Sequence, residues 1–131
     1  MLAARSAPNE ADALTVRVRH EPGYILVTVA GEVDFASVAG LRERLFALAA
    51  TGRPLLADLD RVSFIDAAGL GALAGAARQA ATHGACLRVL CARPRIRRLF
   101  RLTGLDQTVP SANTVDEALE MLESAAKAEA V

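Results

Sequence analysis

The chain has 131 residues, 53% of them hydrophobic and 23% charged, and its 15 basic and 15 acidic side chains cancel at pH 7. This length predicts a single domain whose core is large enough to fold without disulfides or a structural metal. Zero net charge and a content of only four Phe and one Tyr argue against direct nucleic-acid binding. No apolar run is long enough for a secretory signal or membrane insertion, so we expect a cytoplasmic protein.

The first part of the sequence predicts a mobile tail followed by a β-hairpin. Residues 1–12 are rich in Ala, Ser, Pro and Asn and are expected to form the tail. Apolar and polar side chains then alternate over residues 14–19, which is typical of a half-exposed strand. A turn at residues 21–23 leads into a second, more buried strand over residues 24–30, and residues 31–34 close this strand in a loop.

The remaining elements alternate between helix and strand. Helices are predicted from residue 37 to Gly52, over residues 67–82, around residues 96–100 up to Gly104, and from residue 114 onward. Strands are predicted over residues 55–59 and 86–91, with a weak last strand at Thr108 and Val109. Thr114 and Glu117 have the spacing of a capping box, which marks the start of the last helix.

The order of these elements predicts an α/β fold. A hairpin followed by alternating helices and strands implies a mixed sheet of about five strands whose later members run parallel, with about four helices packed against it. We expect this single domain to span residues 13–126, followed by a C-terminal tail at residues 127–131.

The sequence gives little support for catalysis or metal binding. His20 and His83 have no accompanying nucleophile elbow, and His83 is explained as a complement to the dipole at a helix C-terminus. Four aspartates lie near strand ends, and two carboxylates there could hold Mg²⁺ as in a receiver domain: Asp34, Asp58, Asp60 and Asp66. That interpretation also needs a lysine at a later strand end, whereas the only lysine is Lys127, in the last helix or tail. We therefore predict a protein that is not an enzyme and has no catalytic residue, metal or cofactor.

Five arginines cluster in one predicted helix. Between its apolar positions Ile96, Leu99 and Phe100, and just before them, lie Arg93, Arg95, Arg97, Arg98 and Arg101. This pattern is typical of an amphipathic helix whose charged face is solvated. The less favoured alternative is a docking face for an acidic partner.

The stretch from Asp58 to Gly71 is the most informative part of the sequence. It reads as a strand that leads into a helix at Asp66, whose carboxylate can cap the helix by accepting a hydrogen bond from the N–H of Ala68 or Gly69. Gly69 and Gly71 leave the first turn bare, so its amides and the positive end of the helix dipole favour a phosphate or a partner's carboxylate. Alternatively, Asp66 is a structural cap, and the glycines merely allow close packing against the sheet.

This stretch closely resembles the signature of the STAS domain, which is named for sulphate transporters and anti-sigma factor antagonists. The family pattern is approximately Asp-Leu-x-x-Val-x-Phe-(Ile/Met)-Asp-Ser-Ser-Gly-Leu-Gly, and residues 58–71 here read Asp-Leu-Asp-Arg-Val-Ser-Phe-Ile-Asp-Ala-Ala-Gly-Leu-Gly. A second family element, Gly-Glu-(Leu/Val)-Asp, appears as Gly31-Glu32-Val33-Asp34. The resemblance covers residues 14–125, and two motifs in the correct order are more specific than either alone.

The resemblance implies the function of an anti-sigma factor antagonist in bacterial partner-switching signalling. Such proteins bind an anti-sigma factor, commonly also a serine kinase of the histidine-kinase-like ATPase type, and so free the sigma factor for transcription. The kinase phosphorylates the residue after the motif Asp, and the modified antagonist is released. Here that position is Ala67, which has no hydroxyl, so we expect the site to behave as permanently unphosphorylated.

The resemblance also implies which residues meet the partner. The predicted binding residues are Glu32, Asp34, Asp66, Ala67, Ala68, Gly69, Leu70 and Gly71. Ser63 and Ser37 are fallback phosphate acceptors. The alternative function is that of a STAS accessory subunit or ligand sensor, for example of a lipid-transporting ABC ATPase, which would use the same helix start. The oligomeric state is not indicated by the sequence.

Overall fold

Five strands and five helices follow one another along residues 13–130, the part of the chain that the computed structural model describes. The strands are β1 (Thr15–Glu21), β2 (Tyr24–Val33), β3 (Leu55–Ile65), β4 (Leu87–Leu90) and β5 (Ser111–Ala112). The helices are α1 (Val38–Ala49), α2 (Ala67–Thr82), α3 (Pro94–Thr103), α4 (Leu105–Thr108) and α5 (Val115–Ala130). The predicted N-terminal tail at residues 1–12 lies outside the described residues.

The strands form one mixed sheet in the order β1-β2-β3-β4-β5. β1 pairs with β2 in antiparallel fashion, whereas the pairs β2–β3, β3–β4 and β4–β5 are parallel. This confirms the predicted hairpin and the parallel later strands. Because β2, β3 and β4 run in the same direction, their carboxyl ends lie at one edge of the sheet, which is where ligands and partners of α/β sheets usually bind. The segments that lead into α1, α2 and α3 start from this edge.

The two faces of the sheet carry cores of different size. The larger core lies between one face and the helices α1 to α4, and includes Val27, Leu45, Leu73 and Phe100. The smaller core lies under α5 on the other face, and its buried members are Leu56, Leu90, Ala112, Ala118 and Leu122. Among the described residues, every fully buried side chain is apolar, so burial of hydrophobic surface is the main stabilising contribution.

β3 continues well past residue 59, its predicted end, because two shifts in register keep it paired with β2. The partners along the two strands include Ile25 with Leu55, Ala30 with Arg61, and Glu32 with Phe64. At each shift β3 therefore contains one more residue than the stretch of β2 that it pairs with. Gly31 lies at the second shift with φ of 100°, a left-handed conformation that favours glycine. As a result, the buried side chains in this part of β3 recur every third residue, at Leu59, Val62 and Ile65.

The C-terminal part differs from the prediction in two respects. The last strand is Ser111–Ala112 and not Thr108–Val109, because Thr108 ends the one-turn helix α4, where the N–H of Val109 donates to the carbonyl of Leu105 at 2.7 Å. This short helix brings the number of described helices to five. The last helix, predicted from residue 114 onward, runs from Val115 to Ala130, in keeping with the strong helix propensity of its alanines.

Candidate functional site

Asp66 joins two parts of the chain at the carboxyl edge of the sheet. It is the N-cap of α2, with extended backbone angles, and its Oδ1 accepts a hydrogen bond from the N–H of Gly69 at 3.1 Å. The sequence predicts a cap bond from the N–H of either Ala68 or Gly69, and the structure has the bond from Gly69. Its other oxygen, Oδ2, accepts from the N–H of Phe35 at 3.0 Å. One carboxylate therefore fixes the start of α2 against the loop between β2 and α1.

The loop between β2 and α1 is held by Asp34 and Ser37. Oδ1 of Asp34 accepts from the N–H of Ser37 at 3.0 Å, and the Ser37 hydroxyl in turn accepts from the N–H of Asp34 at 3.0 Å. The single hydroxyl hydrogen of Ser37 can go to Oδ1 of Asp34 at 3.0 Å or to the carbonyl of Glu32 at 2.9 Å. Asp34 thus sets the shape of the loop in addition to placing a negative charge there.

The predicted binding residues of α2 separate into an exposed and a buried group. Ala67 and Gly71, one helical turn apart, are exposed, and Ala68 is half-buried. Gly69 is buried, and a Cβ at its position would come within 2.7 Å of the Cγ1 atoms of Val33 and Ile65. Leu70 is 8% exposed and belongs to the larger core. The packing alternative therefore describes Gly69, and the side chain of Leu70 is largely buried.

An exposed aromatic residue, which the sequence reasoning missed, lies beside Asp66. Phe35 is 84% exposed although its backbone is fixed by the bond to Asp66. Phe64, two residues before Asp66, is 49% exposed at the end of β3. Isolated apolar side chains on a surface need no explanation, but two aromatic rings beside a fixed helix start resemble the anchor residues of protein interfaces.

We call the surface formed by Asp34, Phe35, Asp66, Ala67, Ala68 and Gly71 the Asp66 face. Glu32, half-buried in β2, and Phe64 border it at the sheet edge. On the other side, a groove of about 360 Å³ separates it from the end of α3 and from α4. The groove is lined by Ala67, Leu70, Gly71, Ala74, Thr103, Gly104, Leu105 and Thr108. The start of α2 is thus accessible from solvent on a broad, shallow surface.

The other candidate residues for chemistry have structural contacts elsewhere. His83 lies at the C-terminal end of α2, opposite the Asp66 end, and the ring of His20 lies 3.1 Å from the guanidinium of Arg53. Asp60 accepts from the N–H of Ala92 at 2.7 Å and so ties the end of β4 to β3. Burial raises the pKa of the Cys91 thiol, which favours its protonated, unreactive form.

Two general properties of the described residues bear on function. Over residues 13–130, no three His, Cys, Asp or Glu side chains are grouped so that they could hold a metal ion. In the same part of the chain, no helix has both the length and the apolar character needed to cross a membrane.

Comparison with known proteins identifies the family. Residues 15–118 match the STAS domain. The anti-sigma-B factor antagonist of Bacillus subtilis is 35% identical over 96 residues, which cover 73% of this chain and 88% of that protein. The match extends through the whole described sheet and through the first turn of α5.

Solved structures agree with this assignment. An anti-sigma factor antagonist from Mycobacterium paratuberculosis superposes with a TM-score of 0.78 at 33% identity, covering 86% of this chain and 96% of the other. The phosphorylated form of the Bacillus cell fate determinant SpoIIAA shares the fold, with a TM-score of 0.63 at 22% identity and coverage of 82% of this chain and 98% of that one. On the sequence match, the fold and the relatives together, the chain belongs to the STAS domain family.

Proposed function

We propose that the chain is a non-catalytic antagonist that binds a kinase-type anti-sigma factor through the Asp66 face and so frees a sigma factor. The observation that carries this proposal is the exposed methyl group of Ala67 in the first turn of α2, directly after Asp66, whose carboxylate holds the backbone of the exposed Phe35. The names of the relatives support an anti-sigma factor as the partner, because they are antagonists of anti-sigma factors.

The proposal includes the absence of the usual kinase switch. A phosphate on the residue after Asp66 would add about −1.5 to −2 charges at neutral pH and three strong acceptors to the Asp66 face. Asp34 and Asp66 already place negative charge there, so the phosphate would add like charge to the same surface. It would also place a charged group where Ala67 and Phe35 are proposed to make apolar contact with the partner. Because Ala67 has no hydroxyl, we expect the binding-competent form to persist whatever the activity of the kinase.

The two fallback phosphate acceptors, Ser37 and Ser63, differ in how accessible their hydroxyls are. The hydroxyl of Ser37 is half-buried and bonded within the loop between β2 and α1, whereas Ser63 is exposed near the end of β3. Phosphorylation of Ser37 would require breaking the contacts that hold Asp34. Ser63 is therefore the more accessible of the two hydroxyls.

The first testable prediction concerns Ala67. Kinase-type anti-sigma factors encoded in the genome that carries this chain are purified and mixed with it, with and without ATP, and followed by intact-mass analysis and size-exclusion chromatography. We expect one of them to form a complex that ATP does not dissolve, with no gain of mass on this chain. Ala67→Ser should form the same complex without ATP, gain one phosphate with ATP, and then be released.

The matched control is Ala68→Ser, which places a hydroxyl one residue further along the same turn and should stay unmodified. Stoichiometric phosphate on the unaltered chain would contradict the missing switch. Binding to a transporter ATPase with no binding to any anti-sigma factor would contradict the proposed function as a whole.

A further inference from the structure

The exposed side of α3 carries a row of positive charge. Arg95, Arg98 and Arg101 follow one another at intervals of three residues, and all three are exposed. Among residues 13–130, none of their guanidinium groups has a hydrogen bond or an ion pair. We call these three residues the arginine row.

The other two arginines of the cluster behave differently. Arg93 donates to the carbonyl of Asp60 at 3.2 Å, and Arg97 donates to the carbonyl of Cys91 at 3.0 Å. These two side chains tie α3 to the sheet. The five arginines thus divide into two with structural contacts and three that face solvent.

Arg95, at the start of the arginine row, does not stabilise α3. Arg95 lies in the first turn of α3, where the helix dipole favours acidic side chains, and this turn contains none. The N-cap position is occupied by Arg93, which forms no side-chain cap bond. Arg101, in the last turn, suits the dipole, but Arg95 opposes it. Local helix stability therefore does not explain why this stretch is so basic.

Arg101, the last member of the arginine row, lies two residues before the groove that borders the Asp66 face. Leu102, directly after Arg101, is 71% exposed. Thr103 and Gly104 then line the groove whose other wall includes Ala67 and Gly71. A partner seated on the Asp66 face and across this groove would meet Leu102 and the arginine row next.

We infer that the arginine row is the charged part of the docking surface and that it fits an acidic strip on the anti-sigma factor. This inference rests on the proposed function and adds the chemistry of the partner. Guanidinium groups bind carboxylates with two parallel hydrogen bonds, and charges at the rim of an interface mainly accelerate association and make it sensitive to salt. The Asp66 face supplies the apolar contact, and the arginine row supplies the long-range attraction.

The experiment compares two triple variants with the same change in net charge. One is Arg95→Glu/Arg98→Glu/Arg101→Glu. The control is Arg17→Glu/Arg61→Glu/Arg78→Glu, which alters three exposed arginines that also have no side-chain hydrogen bond or ion pair within residues 13–130. Circular dichroism and thermal unfolding verify that both variants are folded.

Association with the anti-sigma factor that binds the unaltered chain is measured by surface plasmon resonance over a range of salt concentrations. We expect the arginine-row variant to associate at least about tenfold more slowly at low salt and to lose most of the salt dependence. The control variant should change by less than about twofold, since the inference assigns the attraction to the arginine row and not to exposed arginines in general.

Each contrary outcome has a distinct meaning. Equal losses in both variants would show a general effect of net charge and overturn the inference, as would an arginine-row variant that binds like the unaltered chain, while the proposed function would stand. Loss of binding to phosphatidylglycerol vesicles, with binding to the anti-sigma factor unchanged, would assign the arginine row to a membrane surface instead. If no anti-sigma factor binds the unaltered chain, the proposed function itself fails.

Discussion

The two hydrogen bonds that Asp66 accepts differ in whether the sequence predicts them. The bond to Gly69 follows from local sequence, because an Asp before a helix caps an amide three residues on. The bond to Phe35 joins residues 31 positions apart and depends on how β2 and β3 bring their carboxyl ends together. The same holds for the exposure of Phe35, since nothing in its neighbours distinguishes an exposed aromatic from a core one. The sequence thus predicts the helix cap but not the aromatic residue beside it.

Substitution of Asp66 tests these two bonds separately. Asp66→Ala removes both and leaves the N–H groups of Gly69 and Phe35 without their acceptor, so we expect a loss of about 1–2 kcal/mol in the free energy of unfolding. Asp66→Asn has one acceptor oxygen and can keep only one of the bonds, so its loss should be smaller. Urea denaturation followed by circular dichroism measures both values. Equal stability of all three proteins would show that the carboxylate does not join the two elements.

Along α2, two glycines of the same motif have opposite roles. Gly69 faces the sheet, where its missing side chain lets the helix approach Val33 and Ile65, whereas Gly71 has nothing within 4 Å of an added Cβ. The sequence places both in the first turns of a helix but cannot tell which one faces the sheet. It also ends β3 too early, because the regular alternation that marks a strand is broken where the register shifts.

The two glycines form a matched pair for mutagenesis. Gly69→Ala brings a methyl group within 2.7 Å of two branched side chains, and the resulting overpacking should lower the free energy of unfolding by about 1–3 kcal/mol. Gly71→Ala adds the same methyl group in open space and should raise stability by up to about 1 kcal/mol through helix propensity. Thermal and urea unfolding of both variants provide the measurement. A Gly69→Ala protein as stable as Gly71→Ala would show that close packing at this position is not required.

At the scale of the domain, the sheet separates two cores that differ in size and in the helices they hold. The α/β class, the mixed sheet and the capped final helix were all predicted, since they depend on periodicity and on cap residues. The two-residue strand β5 and the single turn α4 were not, because elements so short have too few residues to show a period. Their positions are set by tertiary pairing, as between Leu90 and Ala112.

The two cores predict two kinds of destabilisation. Leu45→Ala creates a cavity under α1 in the larger core, and we expect a loss of about 2–5 kcal/mol that weakens the whole domain. Leu122→Ala affects the smaller core, so faster hydrogen exchange should be concentrated in α5 while the Asp66 face keeps its binding activity. Hydrogen exchange read by mass spectrometry distinguishes the two patterns. Uniform acceleration in the Leu122→Ala protein would mean that α5 and the remainder of the domain unfold as one unit.

The two extra residues that β3 holds relative to β2 also affect how this edge can change in evolution. Each is a residue without a counterpart on the neighbouring strand, so its deletion would restore ordinary pairing at that point. The chain beyond it would keep both its inward and its outward side chains. Homologues could therefore lose one residue of β3 at either irregularity and still have an aspartate equivalent to Asp66 at the carboxyl edge of the sheet.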